Sequence, residues 1–201
     1  RIGYQSASAA VMVNLASGIA IDLADAKNGT NQDAAGVGVD TVTGVNRGRG
    51  SNYNDILIGG ASANDRLEVF EGWGGNDTII GGSGYDRAQY KNDGSSTYYN
   101  LDFVTGLQFA TDANGVQLYS QGINVNLANG VVTGDPNIIG TDSLSSIESV
   151  YGTMLADTFD ARGFSATSVN AGSLGTYNDF QAFAGNDTFI GNFNTAARYD
   201  A

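Results

Sequence analysis

Cysteine and histidine are both absent from this chain. Without cysteine there is no disulfide and no thiolate metal site, and without histidine the commonest general base and zinc ligand are missing. A Ser-His-Asp triad is therefore excluded, and a catalytic zinc site is disfavoured. We predict from these absences that the chain is not an enzyme.

Basic residues and proline are scarce. Nine Lys and Arg residues stand against 21 Asp and Glu residues, which gives a formal net charge of −12, and there is one proline. A chain without a basic stripe releases few counterions from nucleic acid or an anionic membrane, so we expect neither as a partner. No apolar run is long enough for a membrane-spanning helix, so no membrane insertion is expected, and no signal peptide is recognisable.

Glycine and aspartate are abundant instead. The chain has 29 glycines, and 18 of its 21 acids are aspartate. Aspartate favours tight turns and compact metal loops, and this many glycines with so little proline indicate many such turns. A hydrophobic fraction of 41% is too high for a disordered chain. We therefore predict a folded, turn-rich, all-β protein.

Two consecutive nine-residue segments carry the most specific motif. Residues 81–89 read Gly-Gly-Ser-Gly-Tyr-Asp-Arg-Ala-Gln, and residues 72–80 fit the same frame with Trp73 at the second glycine position. The glycines permit a tight turn with carbonyl oxygens pointing inward, and the last three residues form one short strand. Asp77 and Asp86 close the two turns and add a carboxylate to each ring of carbonyls. Hard oxygen ligands of this kind suit Ca²⁺.

This motif resembles the glycine- and aspartate-rich nonapeptide repeat of RTX proteins, a calcium-binding family of secreted bacterial proteins. In that family two nonapeptides make one 18-residue coil, so turns 18 residues apart stack on one edge. The resemblance implies that Asp86 stacks over Glu68, with Asp77 on the opposite edge. It also implies a right-handed parallel β-roll or β-solenoid with calcium-binding turns, to which we add an antiparallel β insertion.

The candidate calcium ligands are the turn residues of these two segments and the acid stacked on them: Gly72, Gly74, Asn76, Asp77, Gly82, Gly84, Asp86 and Glu68. Four acids at the ends of related turns extend the set, namely Asp55, Asp65, Asp157 and Asp187. Side-chain Asx turns explain those four equally well. Because a net charge of −12 repels itself, we expect Ca²⁺ binding to be coupled to folding.

The chain is an imperfect duplication. Residues 11–18, 38–42, 50–55 and 75–78 recur in the same order as residues 123–130, 140–144, 152–157 and 185–188. Repetition on this scale indicates a solenoid or a tandem array. We divide the chain into a first repeat (1–90), a β insertion with alternating apolar residues (91–122), and a second, degenerate repeat (123–201).

The second repeat has lost the glycine pair of its last motif, which reads Ala-Phe-Ala-Gly-Asn-Asp over residues 182–187. We therefore expect the better calcium sites in the first repeat. Residues 1–4 read like residues 87–90, so the chain begins in the middle of a repeat. This suggests an excerpt of a longer array, with further repeats of the same chain as partners.

The functional prediction is a non-catalytic, calcium-binding module of a secreted or cell-surface bacterial protein, with a structural, adhesive or lattice role. The resemblance implies export by type I secretion. The alternative is an accessory carbohydrate-binding module of a secreted polysaccharide-active enzyme, such as an alginate epimerase or a glycanase, so polysaccharide or cell-surface components are possible partners. The aromatic residues that could form a sugar platform are Trp73, Tyr85, Tyr98, Tyr99, Phe183 and Phe193.

Two pairs of acids could in principle support two-carboxylate glycosidase chemistry, Glu68 with Glu71 and Asp157 with Asp160. In a chain with 21 acids such pairs are expected anywhere, so catalysis by them is disfavoured.

Overall fold

The computed structural model describes residues 1–61, 67–90, 98–101, 108–111, 121–136, 138–192 and 198–199, with the backbone alone at 98–101, 108–111 and 198–199. The described residues form short β-strands and a single short helix. No helix among them is both long and apolar enough to cross a membrane.

In chain order the elements are β1 (Ile2–Gly3), β2 (Val11–Asn14), β3 (Ile19–Asp22), α1 (Leu23–Asn28), β4 (Val39–Thr41), β5 (Arg47–Arg49), β6 (Ile56–Ile58), β7 (Glu68–Glu71), β8 (Thr78–Ile80), β9 (Asp86–Gln89), β10 (Tyr98–Leu101), β11 (Gln108–Thr111), β12 (Asn124–Asn126), β13 (Val131–Thr133), β14 (Thr141–Ser145), β15 (Ser149–Tyr151), β16 (Thr158–Asp160), β17 (Asp179–Gln181), β18 (Thr188–Ile190) and β19 (Arg198–Tyr199).

These strands build two large sheets. The seven-stranded sheet has the order β1-β5-β7-β9-β15-β17-β19, and the ten-stranded sheet has the order β18-β16-β12-β13-β14-β8-β6-β2-β3-β4. From β5 to β9 and from β14 to β19, consecutive strands alternate between the two sheets. Neighbouring strands within one sheet therefore run in the same direction and pair in parallel. The all-β prediction is confirmed. Within the predicted insertion, β10 and β11 form an antiparallel pair.

Most strands place one apolar side chain between the two sheets. In a three-residue strand the middle residue points to one face and its neighbours to the other. Leu57 and Ile79 are buried at the centres of β6 and β8, and Phe159 and Phe180 lie on opposite sheets with ring centroids 5.0 Å apart. The core is therefore a single apolar layer, to which most strands contribute one rung.

Both repeats contribute to both sheets. Each begins with an antiparallel three-stranded meander, β2-β3-β4 in the first repeat and β12-β13-β14 in the second. The repeats join where β8 pairs with β14 and β9 pairs with β15, both in parallel. The hydrogen-bonded sheets thus run without interruption from the first repeat into the second.

The polar loop of the first repeat contains the one helix, which the sequence did not predict. Asp22 caps its N-terminus by accepting hydrogen bonds from the backbone N–H groups of Ala24 (2.7 Å) and Asp25 (3.1 Å). Gly29 ends it in the left-handed conformation, with φ +64°. Asp25 accepts from the backbone N–H groups of Gln32 and Asp33, which closes the loop. These caps stabilise a helix of six residues, which is too short to be recognised from helical periodicity in the sequence.

The apolar layer yields a first prediction. Phe70 is fully buried at the centre of β7, so Phe70→Ala removes a ring from a layer that cannot collapse around the gap. We expect a loss of about 3–5 kcal/mol in the free energy of unfolding, measured by urea denaturation followed by far-UV circular dichroism. Val169 is 65% exposed, so Val169→Ala is the control and is expected to change stability little. Equal effects of the two substitutions would contradict the placement of the core.

Candidate metal centre

Acidic residues lie in three rows where the chain enters the strands of the two sheets. At the ten-stranded sheet the capping row consists of Asp55, Asp77 and Asp142, and a shorter one of Asp157 and Asp187. At the seven-stranded sheet the acid stack consists of Glu68, Asp86 and Glu148. The side chains of Asp77 and Asp86 are therefore on different edges, as the nine-residue spacing predicts.

In the capping row each carboxylate accepts a hydrogen bond from the backbone of the next strand. Asp142 Oδ1 accepts from the N–H of Asp77 (2.8 Å), Asp77 Oδ1 from that of Asp55 (2.8 Å), and Asp55 Oδ1 from that of Val11 (2.7 Å). These N–H groups lie just outside the strand ladders and would otherwise be unpaired. The row therefore ties neighbouring strands together.

The shorter row repeats this pattern in the second repeat. Asp187 Oδ1 accepts from the N–H of Asp157 (2.9 Å), and Asp157 Oδ1 accepts from that of Ile123 (2.7 Å).

Asp55 and Asp157 are fully engaged by protein donors. Ser51 donates to the Asp55 carboxylate from its backbone N–H and its hydroxyl. Thr153 does the same for Asp157, with its N–H at 2.7 Å and its hydroxyl at 2.9 Å. In both cases the donor lies four residues before the aspartate, so the carboxylate closes the turn that precedes its strand. Burial nevertheless raises the pKa of Asp55 to about 6.

Asp77 is less well satisfied. Its Oδ2 is buried without a hydrogen-bond partner among the described residues, and a Cβ on Gly72 would collide with that atom. Burial first, and then the neighbouring Asp142, raises the pKa of Asp77. Tyr90 donates to Asp142 Oδ2 at 2.9 Å, which stabilises that carboxylate. Without a cation, Asp77 is therefore expected to hold a proton at neutral pH.

The acid stack brings three carboxyl groups together on adjacent strands. Glu68 and Asp86 are partners in the β7–β9 register, as the 18-residue coil predicts, and Asp86 donates its backbone N–H to Glu148 Oε2 at 2.9 Å. All three residues are at most 5% exposed. Both carboxylate oxygens of Asp86, and Oε1 of Glu148, lack a hydrogen-bond partner among the described residues.

Burial and mutual repulsion disfavour ionisation in this stack. The pKa of Asp86 is raised to about 7, chiefly by burial and further by Glu148 and Glu68. Burial raises the pKa of Glu148 to about 7 and that of Glu68 in the same direction. Unpaired buried carboxylates are unfavourable unless a proton or a cation neutralises them.

Backbone carbonyl groups and glycines surround the stack. A Cβ on Gly81 would collide with the Ser146 carbonyl oxygen and lie 2.7 Å from Asp86 Oδ2. A Cβ on Gly59 would collide with the Gly81 carbonyl oxygen and lie 2.7 Å from Glu68 Oε2. The chain thus brings carbonyl oxygens close to the carboxylates at positions where only glycine fits.

The donor set fits a hard cation. It contains only carboxylate and carbonyl oxygens, the ligands that Ca²⁺ prefers. Adjacent strands lie about 4.8 Å apart, twice the length of a calcium–oxygen bond of about 2.4 Å. Among the described residues no three acidic side chains form a ready metal cluster. An ion would instead be held between two neighbouring strands, with carbonyl oxygens as further ligands.

The remaining predicted ligands have other surroundings. Asn76 Oδ1 accepts from the N–H of Thr141 at 2.8 Å, so it caps the neighbouring turn. Gly74 lies against Asn52 and Ile138, while Gly82 and Gly84 supply backbone with φ of +99° and +122°. Asp187 is exposed. Asp65 lies outside the described residues.

Glu148 is the member of the site that sequence analysis missed. It lies nine residues before Asp157, the same spacing that separates Glu68 from Asp77 and Asp77 from Asp86. This nine-residue spacing could have identified Glu148 from the sequence, although no glycine pair precedes it. Asp142, which also lies outside the predicted ligand set, ends the capping row.

No protein-family model matches the chain, and no curated protein matches it.

The raised pKa values yield a prediction for the metal-free protein. A carboxyl group with a higher pKa in the folded than in the unfolded state binds more protons when folded. It therefore contributes stability below its unfolded pKa, and this is lost as pH rises through the folded value, here about 7 for Asp86 and Glu148. We expect the Tm in metal-free buffer to fall between pH 5 and pH 8, by roughly 5–10 °C.

Thermal unfolding followed by circular dichroism at several pH values measures this. A Tm that is constant or rises over the range would contradict the buried state of these acids.

Proposed function

We propose that this chain is a non-catalytic, calcium-binding β-roll module. One observation supports this most strongly: Asp86 is fully buried between Glu68 and Glu148, and neither of its carboxylate oxygens has a hydrogen-bond partner in the described chain. The parallel strands that alternate between two sheets are consistent with a β-roll. Glycine turns lined with carbonyl oxygens are consistent with the RTX-like motif.

Calcium is favoured over magnesium by the chemistry of the stack. Mg²⁺ requires a nearly octahedral shell and usually keeps several water molecules, whereas Ca²⁺ accepts six to eight oxygen ligands in flexible arrangements. The Asp86 oxygens are buried between strands that hold carbonyl groups close by. Such surroundings favour an ion that exchanges its water for protein oxygens.

Calcium binding would couple to folding. The acids of the stack repel one another, so a divalent ion that neutralises them binds the folded state more tightly than the unfolded chain. Modules that work outside cells commonly bind Ca²⁺ with Kd values of about 0.1–1 mM. A secreted or cell-surface module of this kind would fold where calcium is abundant and serve as a rigid spacer, an adhesive element or a lattice component.

The test is a calcium titration of the wild-type protein and two single variants. Asp86→Asn removes the central charge of the stack, and Asp160→Asn makes the same charge change at a site that pairs with the exposed Arg162. We expect Ca²⁺, but not Mg²⁺, to raise the Tm of the wild-type protein and of Asp160→Asn. Asp86→Asn should lose at least about tenfold in affinity, measured by isothermal titration calorimetry.

The proposal fails if chelator-treated protein shows no heat of binding and no change of Tm up to about 10 mM Ca²⁺. It fails equally if Asp86→Asn and Asp160→Asn bind calcium as the wild-type protein does.

One surface feature supports the alternative, a carbohydrate-binding module. Tyr85 and Tyr177 pack edge to face with ring centroids 5.9 Å apart, and Tyr151 and Phe183 do so at 5.6 Å. These four rings are partly exposed, which suits a sugar platform. The guanidinium of Arg87 covers Tyr151 at 3.6 Å from the ring centroid. The predicted residues Tyr98, Tyr99 and Phe193 lie where no side chain is described.

Affinity electrophoresis with soluble polysaccharides tests this second candidate. If these four aromatic rings bind sugar, the polysaccharide retards the migration of the wild-type protein but not that of Tyr177→Ala. Unretarded migration of the wild-type protein with neutral and with anionic polysaccharides would exclude the candidate.

A further inference from the structure

Among the described strands, the ten-stranded sheet ends in two free edges, β4 at one side and β18 at the other. All three residues of β4 are exposed, and Val39 is 59% exposed. An exposed edge with unpaired backbone groups is a template for a further strand. The contact between the two repeats shows which strand each edge fits.

Inside the chain the repeats join through β8 and β14. Four hydrogen bonds flank or form this contact. Asp77 N–H donates to Asp142 Oδ1 (2.8 Å), Thr141 N–H to Asn76 Oδ1 (2.8 Å), Ser143 N–H to the Asp77 carbonyl (2.8 Å) and Gly81 N–H to the Ser145 carbonyl (2.9 Å). The join is thus a parallel strand pair with a carboxylate cap.

The free edge β4 is built like β14. Gly38 precedes it with φ +65°, and Gly140 precedes β14 with φ +76°. The N–H of Val42 donates to the Gly18 carbonyl at 2.7 Å, as that of Leu144 does to the Gly130 carbonyl at 2.6 Å. Both strands therefore present the same backbone groups to their outer side.

The carboxylate cap is also repeated. Tyr4 donates to Asp40 Oδ2 at 2.7 Å, as Tyr90 donates to Asp142 Oδ2 at 2.9 Å. Asp142 Oδ1 then receives the N–H of Asp77 from the adjacent repeat. Asp40, which is exposed, has the same orientation relative to its tyrosine and is positioned to receive an equivalent N–H.

At the other end, β18 is built like β8. Residues 185–188 repeat residues 75–78 as Gly-Asn-Asp-Thr. Asp187 Oδ1 accepts from the N–H of Asp157, as Asp77 Oδ1 does from that of Asp55. β18 pairs in parallel with β16 on one side, as β8 pairs with β6, and its other side is the free edge of the sheet.

We infer that a second copy of this chain docks head to tail, with its β18 pairing in parallel with β4 in the register of β8 and β14. Asp187 N–H of one copy then donates to Asp40 Oδ1 of the next, and Thr41 N–H donates to the Asp187 carbonyl. The two surfaces differ, so the contact is heterologous and each docked copy leaves a free edge for another. The inference does not depend on calcium binding.

Docking requires a strand exchange in the seven-stranded sheet. Within the chain, β9 lies between β7 and β15. β1 pairs with β5 in the same register as β9 pairs with β15, so β1 corresponds to β9. β19 pairs with β17 as β9 pairs with β7, so β19 corresponds to β9 as well. At a junction between two copies, β1 of one copy and β19 of the other would therefore occupy the same position in the seven-stranded sheet. β1 has two residues, so it is displaced at small cost. Deleting residues 1–3 removes one competitor and should strengthen the assembly.

Analytical ultracentrifugation of the full chain tests the inference, at about 10 µM to 1 mM protein with salt high enough to screen the net charge. The wild-type protein is expected to form species larger than a dimer as its concentration rises. Thr41→Pro removes the outward N–H from β4 and should abolish assembly, whereas Thr41→Ala keeps the N–H and should assemble normally. Asp40→Ala is a second variant, which removes the acceptor for Asp187.

Mixing Thr41→Pro with the wild-type protein distinguishes an open head-to-tail contact from a symmetric dimer contact. Thr41→Pro retains its β18, so small amounts added to the wild-type protein should occupy β4 edges and shorten the assemblies. Monomers at every concentration, assembly that stops at dimers, or assembly of Thr41→Pro equal to that of the wild-type protein would each overturn the inference. Far-UV circular dichroism and Tm values confirm that the variants are folded before they are compared.

Discussion

The structure depends on the hydrogen bond from a backbone N–H to the carboxylate of the neighbouring strand. Strands of three residues offer few ladder hydrogen bonds, and the N–H groups at their start lie outside the ladder. The side chains of Asp55, Asp77 and Asp142 accept these N–H groups and extend each rung by one bond. At the ten-stranded sheet all the acids that accept such a bond are aspartates, whose short side chain favours turns.

The same arrangement creates the electrostatic problem that defines the site. Stacking one acid per strand buries acids about 4.8 Å apart, so burial raises the pKa of Asp77 and Asp86 and the neighbouring acids raise it further. Where serine or threonine donors are present, as at Asp55 and Asp157, the protein satisfies the oxygens itself. At Asp86 it does not, and a proton or a cation has to compensate. Among the described residues, the candidate functional site is therefore the place where buried carboxylate oxygens lack a hydrogen-bond partner.

Sequence analysis predicted the local part of this organisation. The nonapeptide frame was sufficient for the turns, for the opposite edges of Asp77 and Asp86, and for the stacking of Asp86 on Glu68. It missed Glu148, because this residue joins the acid stack only through the pairing of β9 with β15, across the whole insertion. It missed α1 because three aspartates cap and close that loop, a contribution that propensity alone does not include.

The meander at the start of each repeat limits how far the acids can stack. Its antiparallel strands interrupt the capping row, which ends at Val11 in the first repeat and at Ile123 in the second. At the seven-stranded sheet the acid stack ends in a different way, because Asn46 and Asn178 occupy the flanking positions with neutral amides. Buried negative charge is thus divided into groups of two or three carboxylates. Each group contains at most three acidic side chains, so repulsion between them does not accumulate from one repeat to the next.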